Sequence, residues 1–208
     1  MDNNVLREIT YGVYVVSTLN GDKPTGCVVN SVMQVTYDTI AVSVNHSNFT
    51  NECIKKTKKF AISILGENCD DNVIPVFGFQ SGREADKFIS FRTQKVCGLE
   101  VLDDAVGYIV CDVDDILETE THTVFLGNMV DGGLLNKDKV MTYAYYHNVK
   151  KGKSPKAAPT YIEESLVADE LSYRCSICGF VYKGDITKEA ENFVCPVCRQ
   201  PKSVFVKQ

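Results

Sequence analysis

From residue 11 to residue 65 the apolar side chains come in short runs, rich in β-branched and aromatic residues and separated by polar punctuation. Residues 11–19, 26–29, 39–44 and 60–65 read as strands on that pattern. Asn20-Gly21 lies between the first two and predicts a hairpin. Between the third and fourth, residues 48–57 have the character of a short helix, capped by Thr50 or Asn51 and ending on lysines. A second short helix is predicted over residues 75–80. Strand character returns over residues 107–118, 122–131 and 140–146. Many short strands with two or three short helices predict a mainly β fold, a closed antiparallel barrel, because closure removes exposed sheet edges.

The pattern stops after His147, where the chain becomes Lys-, Gly- and Pro-rich through Lys150-Lys-Gly-Lys-Ser-Pro-Lys-Ala-Ala-Pro159. We read three parts: a body over 1–149, a linker over 150–169 and a small module over 170–208. A flexible linker of that length spans about 25 Å, which would let the module swing over the body. The module carries Cys175-Ser-Ile-Cys178 and Cys195-Pro-Val-Cys198, with sixteen residues between the pairs. Each Cys-x2-Cys turn places two thiolates on one side of a tight loop, and two facing loops make a tetrahedral four-sulfur metal site. The ligands alone suit a structural zinc or a single redox-active iron. Five aromatics, Tyr173, Phe180, Tyr182, Phe193 and Phe205, are available to wrap the sulfurs in an apolar shell, which favours iron.

Composition narrows the picture. The chain has 208 residues, 44% hydrophobic and 24% charged, with a net charge of −5. That is enough for a buried core plus an appendage. The acidic charge is concentrated in residues 1–149, which argues against nucleic acid as the main partner. The first residues show no basic stretch followed by an apolar core, and no apolar run reaches membrane-spanning length, so a cytoplasmic protein with reduced thiols and no membrane association is expected. Cys27, Cys53, Cys69, Cys97 and Cys111 show no pairing pattern, and most are expected to be small buried hydrophobes. With no Gly-x-Gly-x-x-Gly and no Walker loop, a Rossmann nicotinamide domain is not indicated.

Tyr173-Arg-Cys-Ser-Ile-Cys-Gly-Phe-Val-Tyr182 and Phe193-Val-Cys-Pro-Val-Cys-Arg-Gln-Pro-Lys-Ser-Val-Phe205 resemble rubredoxin in its shortened form. Rubredoxin holds one iron on four cysteines and moves one electron. Phe193 stands where rubredoxins often have Trp. Arg199 follows the last ligand where Gly is usual, and must accept a turn easiest for Gly. Thr25-Gly-Cys-Val-Val-Asn-Ser-Val-Met-Gln-Val-Thr36, followed by Ile40-Ala-Val-Ser-Val-Asn-His-Ser-Asn-Phe-Thr-Asn51, is similar to the flavin reductase domain, a split β-barrel of Greek-key type. Ser81-Gly-Arg-Glu-Ala-Asp-Lys-Phe88 and Thr121-His-Thr-Val-Phe-Leu-Gly-Asn-Met-Val130 support it. The domain order resembles that of the high-molecular-weight rubredoxin family.

That resemblance implies FMN held by Asn30, Ser31, Val32, Met33 and Gln34, by Asn45, Ser47, Asn48, Phe49 and Thr50, and by Ser81, Gly82, Arg83 and Lys87. Asn30, Ser31 and Gln34 have amide and hydroxyl groups suited to the polar edge of the ring. Ser47, Asn48 and Thr50 precede or open a helix whose first N–H groups suit a phosphate, with Arg83 and Lys87 available for its charge. His122 is the candidate for orienting the ring or the nicotinamide, with Tyr143 and His147 behind it; a purely structural histidine remains the alternative. The implied activity passes electrons from NADH or NADPH through FMN to the iron, and on to a redox protein such as a flavodiiron protein that reduces oxygen or nitric oxide. A homodimer with the flavin at its interface is implied as well. Three alternatives stay open: a flavin or ferric reductase with a structural zinc ribbon, a passive electron carrier, and a zinc-dependent interaction module on an inert barrel.

Overall fold

The computed structural model describes residues 5–6, 8–155, 158 and 172–207. β1 (Tyr14–Asn20) and β2 (Lys23–Val29) form the expected hairpin, in which Asn20 pairs with Lys23 across a two-residue loop. Gly21 sits there at φ +60°, a conformation the loop requires and Gly adopts without penalty. β3 (Val32–Gln34) and β4 (Thr39–Asn45) follow. Next come α1 (Phe49–Thr57), β5 (Lys59–Ile64) and α2 (Val73–Phe79). The α1 cap differs from expectation. Asn48 is the N-cap, whereas Thr50 and Asn51 lie inside the helix and are buried.

β6 (Thr93–Val96) and β7 (Leu99–Leu102) make a separate small hairpin. β8 (Gly107–Glu118) and β9 (His122–Leu134) are long partners, and register shifts near Val110/Cys111 and Val113/Asp115 bend them. The strand expected over 140–146 is not formed. Val140 makes a single bridge to Gly66, and Tyr143–Asn148 is a helix, α3. Thr142 caps it by accepting the Tyr145 N–H at 3.0 Å, so a local cap overrides the strand preference of the tyrosines.

The main sheet is antiparallel in the order β2-β1-β5-β8-β9-β4-β3. Its two outermost strands, β2 and β3, are joined by only Asn30 and Ser31. In a flat sheet of seven strands at about 4.8 Å spacing those edges would stand about 29 Å apart, whereas two residues bridge no more than about 10 Å. The sheet therefore curls until its edges meet at Asn30-Ser31, without hydrogen bonds between them. This is a split barrel, mainly β as the pattern predicts but open at the β2–β3 seam instead of closed, as the resemblance implies. Its interior is filled by Val16, Ile40, Val42, Val44, Ile54, Phe60, Ile62 and Phe125. A second cluster under α2 holds Val13, Val15, Leu65, Ile74, Phe77, Phe88 and Met141. Gly127 on β9 leaves room for Phe60, whose ring a Cβ there would strike.

The module forms a separate sheet of β10 (Ser172–Cys175), β11 (Val181–Lys183) and β12 (Phe205–Lys207), with β10 in the middle. The segment expected to be a free linker is held through residue 155. Lys150 Nζ pairs with Asp71 at 2.9 Å, the Gly152 N–H donates to Tyr146 O at 2.9 Å, and Tyr146 Oη donates to Lys153 O at 3.2 Å. Residues 156–157 and 159–169 of the expected linker, and 170–171 at the start of the expected module, lie outside the described residues.

Candidate functional site

A cavity of about 300 Å³ opens at the seam of the barrel, at the low end of the roughly 300–1,000 Å³ usual for small-molecule sites. Strand alternation supplies its polar wall. Ile40, Val42 and Val44 of β4 point into the core, and Ser43 and Asn45 point into the cavity. The Ser43 N–H donates to Ser31 O at 3.0 Å, which fixes the seam residues against β4. Ser31 Oγ donates to Asn30 Oδ1 at 3.0 Å. Asn45 Oδ1 accepts from both the N–H and the Oγ of Ser47, at 2.8 and 2.7 Å, and so shapes the approach to α1. Beneath, the Asn51 amide donates to Val44 O and Thr123 Oγ1, both at 2.9 Å, locking α1 to β4 and β9.

His122 stands opposite Asn45 in the β4–β9 register and lines the same cavity. Its Nδ1 lies 2.8 Å from Thr121 Oγ1. Burial, and secondarily the neighbouring His46, push its pKa below the usual histidine range, so the ring is neutral at pH 7. The facing wall is apolar: Val13, Val28, Val29, Ile74, Phe77 and Phe79. α3 and the held segment complete the enclosure with Tyr143, Tyr146, Lys153, Ser154 and Pro155. Tyr143 Oη bonds Ser154 Oγ, which is also 3.3 Å from His147 Nε2, while His147 Nδ1 donates to Gly152 O at 2.8 Å.

Of the residues singled out in the sequence, Asn30, Ser31, Asn45, Ser47, Asn48 and His122 line the cavity. Phe49, Thr50, Ser81, Gly82 and Arg83 form a patch beside it at the first turn of α1. Arg83 stacks on the Phe49 ring at 4.5 Å and pairs with Glu52. Gly82 packs on Thr25 Oγ1, a buried hydroxyl with no hydrogen-bond partner among the described residues. Val32, Met33 and Gln34 run along β3 away from the cavity, and Met33 is 61% exposed. Lys87 is buried, and its ammonium donates to Gly26 O at 2.8 Å and Phe77 O at 3.3 Å, so it ties α2 to β2 instead of facing the cavity. Ser43, Phe77, Phe79 and Ser154 were not anticipated. Period-two alternation from Asn45 back to Ser43 was the available signal for the first; the others come together only through the fold.

The four cysteines of the module are buried, and their sulfurs lie within 4.8 Å of one another. Cys175 and Cys198 Sγ are 3.6 Å apart, and Cys178 and Cys195 Sγ 3.5 Å. A tetrahedron with metal–sulfur bonds of about 2.3 Å has edges of about 3.8 Å, so the cage fits one metal ion. The two turns match. Gly179 (φ +79°) donates its N–H to Cys175 O at 2.9 Å, and Arg199 (φ +57°) donates its own to Cys195 O at 2.8 Å. The left-handed geometry anticipated at Arg199 is therefore present in a side chain that strains to adopt it. Backbone N–H groups of Ile177, Cys178, Phe180 and Gln200 reach the sulfurs of Cys175, Cys178 and Cys198. Of the five aromatics, Phe180 and Phe205 pack against the cysteines and meet edge-on at 6.4 Å, while Phe193 stacks on Phe205 at 5.9 Å.

Residues 6–153 match the flavin reductase like domain family. The chain belongs to the flavin reductase family. Residues 173–206 match the rubrerythrin, rubredoxin-like domain, so this member carries a one-iron module at its C-terminal end. The chain is 36% identical to the high molecular weight rubredoxin of Moorella thermoacetica, across 99% of each chain. It is 35% identical to the ferric-chelate reductase (NAD(P)H) of Archaeoglobus fulgidus, over 78% of this chain and 99% of the relative. The NADH:FAD oxidoreductase of Streptomyces globisporus shares the fold with a TM-score of 0.61 at 20% identity, covering 67% of this chain and 84% of that one. This flavin reductase family member thus pairs a flavin-binding barrel with a four-cysteine iron site. Its cavity suits a flavin by its chemistry: an amide- and hydroxyl-rich wall for the polar edge and an apolar wall for the ring face.

Proposed function

We propose that the protein is an NAD(P)H-dependent oxidoreductase that passes electrons through FMN in the seam cavity to one iron on Cys175, Cys178, Cys195 and Cys198, and on to an external redox protein. A bound flavin takes a hydride as an electron pair and releases electrons singly, which matches a two-electron donor to a one-electron iron. The observation that carries this reading is the presence, in one chain and on the same side of the barrel, of a cavity with a flavin-suited donor set and a four-sulfur cage.

The chain's own groups bind, orient and exclude water. Asn30, Ser31, Ser43 and Asn45 would meet the polar edge of the ring, and Phe77 and Phe79 would cover its face. Neutral His122 orients the ring or the nicotinamide from the β9 side, without supplying charge. FMN is favoured by the patch at the first turn of α1, where the Arg83 guanidinium on Phe49 and the Thr25 hydroxyl lie beside backbone N–H groups suited to one phosphate. Lys87 belongs to the scaffold of this site and not to its charge.

The acceptor in this reading is a flavodiiron protein, with oxygen or nitric oxide as the final oxidant, and the protein is a cytoplasmic homodimer; the full-length match to a high molecular weight rubredoxin supports a redox protein as acceptor. Among the described residues no helix is long and apolar enough to cross a membrane. Anaerobic titration with NADH, then NADPH, tests the reading. Bleaching of both the yellow flavin and the red ferric bands is expected. If dithionite bleaches both and neither nucleotide does, the protein is a passive carrier; a colourless module holding zinc would make it a flavin or ferric reductase with a structural metal.

A further inference from the structure

Phe79, the last residue of α2, lines the seam cavity and also packs against the buried cluster of Cys175, Cys178, Cys195 and Cys198. A second contact lies nearby. A Cβ placed on Gly179, which directly follows the ligand Cys178, would come within 3.5 Å of Lys153 Cδ, and Lys153 also lines the cavity. Both contact points are fixed to the barrel. Phe77, two residues before Phe79, stacks on Phe88 and Phe91 at 4.8 and 5.4 Å, and Lys87 Nζ holds Phe77 O. Tyr146 Oη anchors Lys153 O at 3.2 Å. The cage therefore meets a preformed rim at the cavity mouth.

We propose that the cavity rim at Phe79 and Lys153 is a docking surface for the cysteine loops of the same chain, and that Phe79 is the positioning residue that holds the cage there. The purpose of docking rests on the relay reading; its existence rests on the side-chain contacts alone. The exchange it serves balances as two electrons and two protons leaving the reduced flavin. One electron goes to each of two successive ferric-to-ferrous reductions, the protons pass to solvent, and an external one-electron acceptor reoxidises the iron in between.

Backbone NMR of the full-length holoprotein tests the docking without turnover, because ferric iron broadens nearby amide signals and zinc does not. The amides of Gly78, Phe79 and Lys153 are expected to be broadened in the ferric protein and sharp in the zinc-substituted one. Phe79→Ala should sharpen the Lys153 signal in the ferric protein, and Phe79→Leu, which keeps an apolar contact, should leave it broad. In stopped-flow with NADH, Phe79→Ala is expected to slow iron reduction about tenfold more than it slows flavin reduction. Sharp signals for all three amides in the wild-type ferric protein would overturn the docking even where NADH reduces the iron. Broadened signals with an iron that NADH never reduces would support docking and remove the relay. If Phe79→Ala does not fold, the wild-type comparison of iron and zinc decides.

Discussion

The two halves of this molecule reach a binding site by opposite routes. The cage is local: two turns of one pattern, each closed by a left-handed residue, bring four sulfurs together across one small sheet. The seam cavity is assembled from β2, β4, β9, α2, α3 and the segment after α3, and exists only because a seven-stranded sheet curls until Asn30-Ser31 can join its edges. A local site depends for its stability on its ligand, whereas an assembled site depends on the core behind it. Substitutions in each half and one pH titration separate the two.

The largest effect is expected from Cys178→Ser. Folding of so small a module is tied to its metal, and comparable structural sites have apparent binding energies of about 10–16 kcal/mol. The red colour should be lost and the module should unfold, while the barrel keeps its flavin and NADH still bleaches it. Loss of flavin together with the metal would show that the halves do not stand apart. The converse is Phe60→Ala. Phe60 is fully buried inside the barrel, and its truncation should cost about 3–5 kcal/mol. Thermal unfolding monitored by flavin release should shift down, with the iron bands melting at their original temperature.

Lys87 gives a pH signature confined to the barrel. Burial pushes its ammonium down from 10.5 to about 8. Between those values the unfolded chain keeps a proton that the folded chain has released, so stability rises with pH across that window. Burial also pushes the Cys69 and Cys111 thiols up to about 11 and about 12, which lowers stability as pH rises. The Lys87 rise is therefore read as the difference between wild type and Lys87→Met in urea titrations from pH 7.5 to 10.5. The smallest effect lies in the cage. Arg199→Gly relieves the left-handed strain at φ +57° and should stabilise the module by about 1 kcal/mol. Slower metal loss to a chelator measures it, and Gly179→Ala should speed that loss by a similar margin.

The same contrast explains what could be read along the chain. The cage, its aromatic shell and the awkward turn at Arg199 were legible because spacing and residue type determine them within a few positions. The barrel strands were legible from β-branched runs. Residues 140–146 were misread as a strand because the Thr142 cap, a single side-chain hydrogen bond, outweighs the strand preference of three tyrosines. Lys87 read as a phosphate partner because its burial and its two carbonyl acceptors are tertiary facts. Phe79 carried no local signal at all, since the sulfurs it packs against lie about a hundred residues further along the chain.

The central claim is that one chain moves electrons from the seam to the cage. Anaerobic stopped-flow mixing with NADH over a range of protein concentrations tests it most directly. The account predicts that the flavin band bleaches first, that the ferric band follows, and that the rate of the second phase is independent of protein concentration. A second phase whose rate rises in proportion to protein concentration, or an iron that stays ferric beside fully reduced flavin, would contradict it.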